Sequence, residues 1–335
     1  MKEKRGEVVV ITGASAGVGR ATAQRFAREG ASIALIARGE AGLEGARRDV
    51  EALGGRAITC PCDVADPWAV DAAAARAENE LGPIDIWINV AMVTVFGEFK
   101  NLTMDEFRRV TEVTYLGYVH GTHAALQRML PRDAGTIVQV GSALAYRAIP
   151  LQSAYCGAKH AIRGFTDAVR TELLHDKSKV WITEVHMPAL NTPQFEWCKN
   201  KMEHKSQPVP PIYQPEVAAD AVHFAAHHRR RELWVGGSTA VVITGNKILP
   251  GVGDRYLART GFDSQQFDGP PPEHGRYNLW QPVDDDKDHG AHGAFDARAT
   301  SRSFELMAAK HKGWVAAALL TAAAVGVAGV LRARR

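Results

Sequence analysis

The stretch VVVITGASAGVG, residues 8–19, decides the fold of this chain. Its first five residues form an apolar run with the length and composition of a strand that is buried on both faces. Gly13, Gly17 and Gly19 follow at once, and a helical pattern starts near Arg20. Glycines let the backbone turn sharply and approach a pyrophosphate closely, and the amides at a helix start favour an anion. The stretch therefore predicts a phosphate-binding strand, loop and helix, although a Gly-rich turn alone could be only a tight connection.

Beyond this stretch, apolar runs alternate with helix-patterned segments as far as about residue 235. Such alternation is typical of right-handed βαβ units, which build parallel sheets. We therefore predict an α/β fold with a doubly wound parallel sheet. The predicted strands are residues 8–12, 32–37, 56–60, 84–89, 135–140 and 180–186, with a weaker one near 233–235. The predicted helices are residues 21–29, 42–53, 68–81, 104–129, 154–174 and 215–227.

The composition favours small-molecule chemistry. The 335-residue chain is 46% hydrophobic, which allows one large core with extra elements. Lys and Arg total 40 against 37 acidic residues, and a net charge of +3 gives no field that would argue for nucleic acid binding. Four cysteines are too few for a disulfide framework, and no side-chain spacing indicates a metal site. No secretory segment is evident, so we expect free thiols and a cytoplasmic catalytic domain.

The composition also divides the chain into three parts. We expect a catalytic domain over residues 1–250, followed by an irregular linker with a tendency to disorder over residues 251–309, which are rich in Gly, Pro, Asp and His. Residues 310–335 contain an uncharged run, 314–331, between basic residues. A helix of that length spans roughly 27 Å, close to the roughly 30 Å core of a bilayer. We therefore predict a terminal apolar helix that anchors the protein in a membrane, the alternative being a soluble packing helix because alanine and glycine are frequent there.

The end of the second predicted strand should decide which dinucleotide binds. A carboxylate there would accept the adenosine ribose hydroxyls of NAD and repel the 2′-phosphate of NADP. Here the strand ends in Arg38, with no acid before Glu40, and an arginine offers a planar fork to a phosphate. We therefore predict NADP(H), the alternative being a solvated surface arginine. Asp63 and Val64, after the third strand, are expected at the adenine edge, unless Asp63 only forms a turn.

A tyrosine and a lysine one helical turn apart mark the predicted reaction centre. Tyr155 and Lys159 are spaced i and i+4 at the start of a helix, so their side chains share one face. The neighbouring ammonium and a positively charged nicotinamide would lower the pKa of the phenol and fit it for proton transfer. Ser142 follows the fifth strand at the carboxyl edge of the sheet, where open α/β folds bind ligands. Each residue alone has an ordinary structural explanation, but together they predict a catalytic site with Tyr155 as general acid and base.

In this combination the sequence resembles the classical short-chain dehydrogenase/reductase family, which has a Rossmann-type fold, over about residues 8–245. The resemblance implies hydride transfer between NADP(H) and the carbon of a carbonyl or CH-OH group. It assigns polarisation of the substrate oxygen to Ser142, proton exchange to Tyr155, and binding of the nicotinamide ribose to Lys159. It also implies a homo-oligomer. The cofactor-binding residues that it implies, all in the family's order, are Gly13, Ser15, Gly17, Val18, Gly19, Arg38, Asp63, Val64, Asn89, Ala91, Tyr155, Lys159, Pro188 and Thr192.

Two residues depart from the family pattern. Thr114 stands where the family has a catalytic Asn, and its hydroxyl cannot reproduce the two donors and the acceptor of an amide in a proton relay from Lys159. Met92 replaces a glycine and is expected to narrow the site beside the nicotinamide. Phe195 and Trp197 lie in the segment that forms a mobile lid in the family, which favours an apolar substrate, the alternative being a loop packed on the body.

The sequence thus predicts an NADP(H)-dependent oxidoreductase acting on a small apolar carbonyl or secondary alcohol. A function of another class stays open, namely an NADP-binding, membrane-tethered sensor or scaffold with little or no turnover, because Thr114 replaces the family Asn. A non-redox epimerase is less favoured, since simple carbonyl reduction explains the same residues without a sugar-nucleotide site.

Overall fold

A parallel β-sheet forms the centre of the computed structural model, which describes residues 6–269 and 276–310. The seven strands of this sheet are β1 Val8–Thr12, β2 Ser32–Ala37, β3 Arg56–Pro61, β4 Ile86–Asn89, β5 Thr136–Ser142, β6 Trp181–Met187 and β7 Glu232–Trp234. Their spatial order is β7-β6-β5-β4-β1-β2-β3, with every neighbouring pair parallel. The order reverses between β1 and β4, the point at which such sheets bind ligands. The predicted α/β fold with a doubly wound parallel sheet is confirmed.

Helices cover both faces of the sheet. In chain order they are α1 Gly17–Ala27, α2 Glu40–Ala52, α3 Pro67–Leu81, α4 Met104–Thr111, α5 Gly117–Met129, α6 Ser153–His175, α7 Pro215–His227, α8 Gly237–Ile248, α9 Pro250–Thr260 and α10 Phe304–Lys310. A π-helical turn, Glu112–Leu116, joins α4 to α5, where the sequence predicted one continuous helix. The start of α4 is fixed by a capping box, in which the Thr103 side chain accepts from the Glu106 amide and the Glu106 carboxylate accepts from the Thr103 amide.

Short elements complete the chain between and after these helices. A helical turn covers Gln194–Trp197, and 3₁₀ turns cover Phe99–Asn101, Leu130–Arg132, Ala143–Ala145, Asp263–Gln265 and Asp296–Arg298. Two-residue strands form three small sheets: Val95–Phe96 with Lys199–Asn200, Lys205–Ser206 with Gln266–Phe267, and Ala189–Leu190 with Ile212–Tyr213 and Ala299–Thr300.

The core consists of two apolar layers, one on each face of the sheet. Val9 and Ile11 of β1 belong to the layer that contains Phe26 of α1, whereas Val8 and Val10 belong to the layer on the opposite face, under α3 and α5. Side chains of a strand alternate between the two faces, so a strand covered by helices on both must be apolar throughout. Burial on both faces of the sheet explains why β1 begins with an uninterrupted run of apolar residues.

The segment that we expected to be an irregular linker, residues 251–309, is largely folded onto the catalytic body. It begins with α9, and residues 276–310 pack against the domain and end in α10. Phe295 and Leu306 of this part are buried. The difference from the expectation has a physical reason: this part is held by main-chain carbonyls and by single buried side chains, which leave no periodic pattern in the sequence.

Within residues 6–269 and 276–310, no helix is long and apolar enough to cross a bilayer. The terminal apolar helix predicted at residues 314–331 lies outside the described residues.

Candidate active site

The loop between β1 and α1 is packed so closely that only glycine fits at two of its positions. Gly13 has a φ of 70°, in the left-handed region, and a Cβ placed there would lie 2.8 Å from the Cα of Ala91. A Cβ on Gly19 would lie 2.1 Å from the carbonyl oxygen of Gly13. The Thr12 hydroxyl accepts hydrogen bonds from the amides of Val90 and Ala91 at 3.0 and 3.3 Å, which ties the loop to the end of β4. The first amides of α1 are therefore held at the edge of the cleft beside the loop.

A cleft at the carboxyl ends of the central strands brings together most of the residues that the sequence predicted to bind a dinucleotide. Those that line it are Gly13, Ser15, Gly17, Val18, Gly19, Arg38, Asp63, Val64, Ala91 and Thr192. Asn89 lies instead inside the sheet, fully buried, where its side-chain oxygen accepts from Trp87 and its amide donates to Gln139, both at 2.8 Å. Pro188 lines the neighbouring cavity. The cleft thus gathers ten of the predicted side chains and loop positions, while Asn89 supports the sheet behind it.

Arg38 turns its guanidinium toward main-chain carbonyls at the mouth of this cleft. It donates hydrogen bonds to the carbonyl oxygen of Trp280, at 3.1 Å, and to that of Asn278. Burial lowers the pKa of Arg38 from its ordinary value, although the arginine stays a cation at any physiological pH. Asp63 pairs with the guanidinium of Arg109 and also accepts the amide two residues further on. Asp63 therefore has both a turn-forming and an ionic role.

Residues 277–290, which we call the strap, lie across the cleft. The amide of Gly17, the first residue of α1, donates to the carbonyl oxygen of Gly290 at 3.1 Å. Arg20 donates two hydrogen bonds to the carboxylate of Asp288, at 3.0 and 3.1 Å. The cleft that remains under the strap has a volume of about 170 Å³. The strap is therefore a wall of the predicted cofactor site, although it follows the predicted catalytic domain in sequence.

The three side chains predicted to carry the chemistry meet in a second, larger cavity. Ser142 ends β5, Tyr155 and Lys159 lie in the first two turns of α6, and all three line a space of about 760 Å³. The Ser142 hydroxyl lies near the phenol of Tyr155 and acts on its pKa, and its oxygen accepts from the Leu144 amide at 3.1 Å. The cavity adjoins the cleft, since both are lined by Val18, Val90, Met92, Thr192 and Gln194.

Lys159 is buried, and its amine is held by two acceptors. It donates to the carbonyl oxygen of Val140 at 2.7 Å and to the hydroxyl of Tyr118 at 3.0 Å, and it lies 5.6 Å from the ring centre of Tyr155. Burial lowers the pKa of Lys159 to about 7. Burial also raises the pKa of Tyr155, and the Ser142 hydroxyl opposes this only in part. The protein alone therefore does not lower the pKa of the phenol as the sequence suggested, because removal from water has a larger effect than Ser142.

Thr114, which replaces the family Asn, is engaged by the loop after β4. Its hydroxyl donates to the carbonyl oxygen of Val93 at 2.7 Å and accepts from the amide of the same residue at 3.0 Å. Thr114 is fully buried within the π-helical turn Glu112–Leu116. The polar contact with Lys159 comes instead from Tyr118, one helical turn further along the chain.

Sequence reasoning missed Tyr118 and a buried ionic group near the end of β6. Tyr118 stands four residues after Thr114, so helical spacing could have identified it. His186, fully buried, lies 3.1 Å from a carboxylate oxygen of Glu184 and 3.4 Å from one of Glu232. Burial would lower the pKa of His186, but the two neighbouring carboxylates outweigh that effect and raise it. No sequence motif indicates this group of His186, Glu184 and Glu232, since its members come from two strands that are distant in sequence.

The outer wall of the larger cavity is apolar and open to solvent. It is built by α8, α9 and the residue between them. The side chains that line the cavity there and are between 56% and 72% exposed are Val241, Ile248, Leu249, Val252 and Tyr256. Arg147 connects the two helices, because it donates hydrogen bonds to the side chains of Asn246 in α8 and Asp254 in α9, at 3.1 and 2.7 Å. Of the predicted lid residues, Phe195 lines the cavity and Trp197 lines the cleft.

The remaining reactive side chains form no further centre in the described part of the chain. Cys60, Cys62, Cys156 and Cys198 are free thiols, and burial raises the pKa of each. No group of three or more His, Cys, Asp or Glu side chains suited to a metal ion occurs within residues 6–269 and 276–310.

Comparisons with known proteins agree with this architecture. A family model described as short chain dehydrogenase matches residues 7–202. The uncharacterized oxidoreductase YxnA of Bacillus subtilis (strain 168) is 31% identical over 274 residues, which cover 81% of this chain and 76% of that protein. The 3-dehydrosphinganine reductase of Danio rerio is 31% identical over 230 residues, 65% of this chain and 67% of that protein. The probable oxidoreductase EphD of Mycobacterium tuberculosis (strain ATCC 25618 / H37Rv) is 38% identical over 186 residues, 55% of this chain and 31% of that protein. With its parallel sheet, its glycine loop and these relatives, the chain belongs to the short-chain dehydrogenase family of oxidoreductases.

Proposed function

We propose that this protein is an NADP(H)-dependent oxidoreductase that transfers hydride between the nicotinamide and the carbon of a carbonyl or secondary alcohol in an apolar substrate. The observation that carries the proposal is the meeting of Ser142, Tyr155 and Lys159 in a cavity that adjoins the glycine-loop cleft. Hydride chemistry needs a cofactor site and a proton donor side by side, and this arrangement provides both.

The residues of the cleft suit a dinucleotide. The glycine loop offers close backbone approach and the amides of α1, which favour a pyrophosphate. Arg38 at the end of β2 supports NADP(H), because its guanidinium matches the geometry and charge of a 2′-phosphate. Asp63 and Val64 would contact the adenine edge of the cofactor. Asn89 and Ala91 would support the loop behind the nicotinamide ribose. Pro188 and Thr192 would contact the nicotinamide end. When bound, the nicotinamide supplies or accepts the hydride.

The proton side of the reaction falls to this chain's own groups. The Ser142 hydroxyl, which lies near the Tyr155 phenol, would hold the substrate oxygen beside the Tyr155 proton. Because burial raises the pKa of Tyr155, the phenol keeps its proton at neutral pH and is ready to donate it during carbonyl reduction. Lys159, held by Val140 and Tyr118, would position the cofactor ribose and bias the phenol with its charge.

The cavity supports an apolar substrate. Its volume of about 760 Å³ lies within the roughly 300–1,000 Å³ of small-molecule sites, and its outer wall consists of aliphatic side chains from α8 and α9. The relative from Danio rerio is named a reductase, which supports the reducing direction for this chain as well. A panel of apolar ketones and aldehydes, tested with NADPH and with NADH, checks the proposal. Saturable oxidation of NADPH by at least one of them is the expected result.

We also propose that the protein is anchored to a membrane and that it forms a homo-oligomer. The uncharged run 314–331 supports anchorage of a cytoplasmic catalytic domain to a membrane, where apolar substrates concentrate. Fractionation of the full chain and of a chain ending at Lys310 tests this, because only the full chain should sediment with membranes. The family resemblance supports a homo-oligomer, which light scattering of the purified protein would reveal.

One observation favours a second candidate, a protein that binds NADP(H) without turnover. The Thr114 hydroxyl donates its single proton to the Val93 carbonyl, and Lys159 bonds to Tyr118 and Val140 instead, so Thr114 does not take the place of the family Asn in a proton relay. Saturable NADPH binding without oxidation by any substrate of the panel would support this sensor or scaffold role over the reductase.

A further inference from the structure

We infer that the strap, residues 277–290, is an internal ligand of the cofactor cleft, which a dinucleotide must displace before it can bind. The inference rests on the proposed function for the identity of the competing ligand. It concerns a part of the chain that lies beyond the segment matched by the family model, which ends at residue 202.

The strap bonds to the donors that a dinucleotide's phosphates would need. The guanidinium of Arg38 donates to the carbonyl oxygens of Asn278 and Trp280, and the Gly17 amide donates to that of Gly290. Arg38 is the group best placed for a 2′-phosphate, and the first amide of α1 is a pyrophosphate donor. While the Arg38 guanidinium and the Gly17 amide donate to strap carbonyls, the N–H groups in these bonds are not available to a phosphate.

The strap also places a carboxylate where a phosphate would lie. Asp284 is buried, and a Cβ on Gly39 would lie 1.9 Å from one of its oxygens. A Cβ on Gly42 would lie 2.3 Å from the other oxygen, and the Gly42 amide donates to the Asp284 carbonyl at 2.9 Å. The turn between β2 and α2 thus makes room for an anion beside Arg38. In this structure, the anion is the chain's own Asp284.

The space under the strap is too small for the adenosine and phosphate part of a dinucleotide, the part that Arg38 and the glycine loop would hold. The covered cleft holds about 170 Å³, whereas sites for single drug-sized molecules usually hold roughly 300–1,000 Å³. Leu279 is fully buried and Val283 nearly so, which means that the strap is packed into the protein and does not merely rest on it. The adenosine and phosphate part of a dinucleotide is itself about the size of a drug-sized molecule, so it requires the strap to move outward.

The chain after the strap is fixed independently, so the strap can leave without unfolding the domain. Phe295 is buried and its amide donates to Asn191 at 2.9 Å. Strand Ala299–Thr300 pairs with Ile212–Tyr213, and Leu306 of α10 belongs to the core. These contacts lie outside the cleft, and a bound nucleotide would leave them in place.

Because the strap must be displaced, the apparent Kd for the cofactor equals the intrinsic Kd divided by the fraction of molecules in which the cleft is open. Phosphate oxygens form charge-assisted hydrogen bonds with Arg38 that are stronger than those of neutral carbonyls, so the nucleotide can win the exchange. The closed strap then acts as an autoinhibitory contact, and any change that loosens it should tighten the binding of NADPH and NADH alike.

Hydrogen exchange of the full chain, with and without saturating NADPH, tests the displacement directly. We expect NADPH to speed the exchange of strap amides 278–290 and to leave strand Ala299–Thr300 unchanged. Slower exchange of the strap with NADPH would show that it closes over the nucleotide, and unchanged exchange would show that it does not compete. Either result overturns the inference while leaving the proposed function intact.

A substitution within the strap provides the second test. Leu279→Ala removes a buried anchor without changing charge, and Leu279 does not line the cleft. We expect the Kd for NADPH, and that for NADH, to fall by about tenfold, because loss of a buried leucine frees the strap. The matched control is Leu306→Ala, which removes a buried leucine of the same terminal segment beyond the strap and should leave both Kd values unchanged.

Equal Kd values for wild type, Leu279→Ala and Leu306→Ala would overturn the strap inference alone. Absence of measurable NADPH and NADH binding in all three proteins would overturn the proposed function and, with it, the competition. The two failures are therefore distinguishable in one titration series.

Discussion

The amine of Lys159 lies 3.0 Å from the hydroxyl oxygen of Tyr118, and the same hydroxyl donates to the carbonyl oxygen of Val140 at 2.9 Å. Lys159 itself donates to Val140 at 2.7 Å. Three groups therefore close a small hydrogen-bonded ring in the protein interior. Because Thr114 bonds to Val93 and not to Lys159, Tyr118 is the side-chain hydroxyl that orients this amine.

Tyr118→Phe should lower kcat about tenfold while the Kd for NADPH changes little. The reason is that Lys159 loses one of its two acceptors, and a net hydrogen bond contributes about 0.5–1.5 kcal/mol, whereas the aromatic ring under the amine remains. Steady-state kinetics and a nucleotide titration measure the two quantities. Tyr115→Phe is the matched control. Tyr115 lies three residues before Tyr118 in the chain, but its ring packs against Phe165 of α6. A kcat equal to that of the control would show that Tyr118 does not contribute to catalysis.

The strands of the fold could be predicted because their constraint is local and periodic. Each lies in a sheet covered on both faces, and apolar runs such as Val8–Thr12 follow from that burial. The spacing of Tyr155 and Lys159 likewise follows from helix geometry. The strap could not be predicted, because carbonyls that bond to Arg38 can come from almost any residue. The pKa directions at the site were also out of reach, since they depend on burial that no single motif encodes.

Tyr155→Phe should reduce kcat by a factor of about 10²–10⁴, the usual contribution of a general acid, without weakening NADPH binding. The substitution removes only the hydroxyl, so the ring still fills its place beside Ser142. Stopped-flow oxidation of NADPH and a binding titration provide the two measurements. Ser142→Ala, which removes the partner hydroxyl, should lower kcat less severely. Substantial turnover by Tyr155→Phe would show that another group donates the proton.

Arg38→Ala should raise the ratio of the Kd for NADPH to the Kd for NADH by about 10- to 100-fold, because any loosening of the strap affects both nucleotides alike. A charge-assisted hydrogen bond contributes about 1.5–3 kcal/mol, and only NADPH carries the 2′-phosphate that Arg38 would contact. Arg48→Ala, which removes an exposed arginine from α2, is the charge-matched control. Equal losses for both nucleotides would contradict the assignment of Arg38 to the 2′-phosphate, whatever the strap does.

Binding of NADH should weaken about tenfold between roughly pH 6 and pH 8, because Lys159 loses its proton in that range. Burial lowers the pKa of Lys159 to about 7, so the free protein carries the positive charge below that pH and loses it above. A bound anionic nucleotide favours the charged amine, and its affinity therefore falls as the pH rises. NADH is the suitable probe because it lacks the 2′-phosphate, which titrates near pH 6. Lys159→Met should flatten the profile, and an unchanged slope in that variant would assign the effect to another group.

Val252→Asp should lower kcat/KM for a long-chain apolar ketone by about tenfold and leave that for a short ketone nearly unchanged. Val252 lines the cavity and is 56% exposed, so the variant can fold, but a carboxylate at the mouth loses apolar contact with the chain of the substrate. Leu174→Asp is the matched control, since Leu174 is equally exposed on α6 and does not line the cavity. An equal loss for short and long ketones would place the effect at the reaction centre, because only a contact along the substrate's chain can separate the two substrates by length.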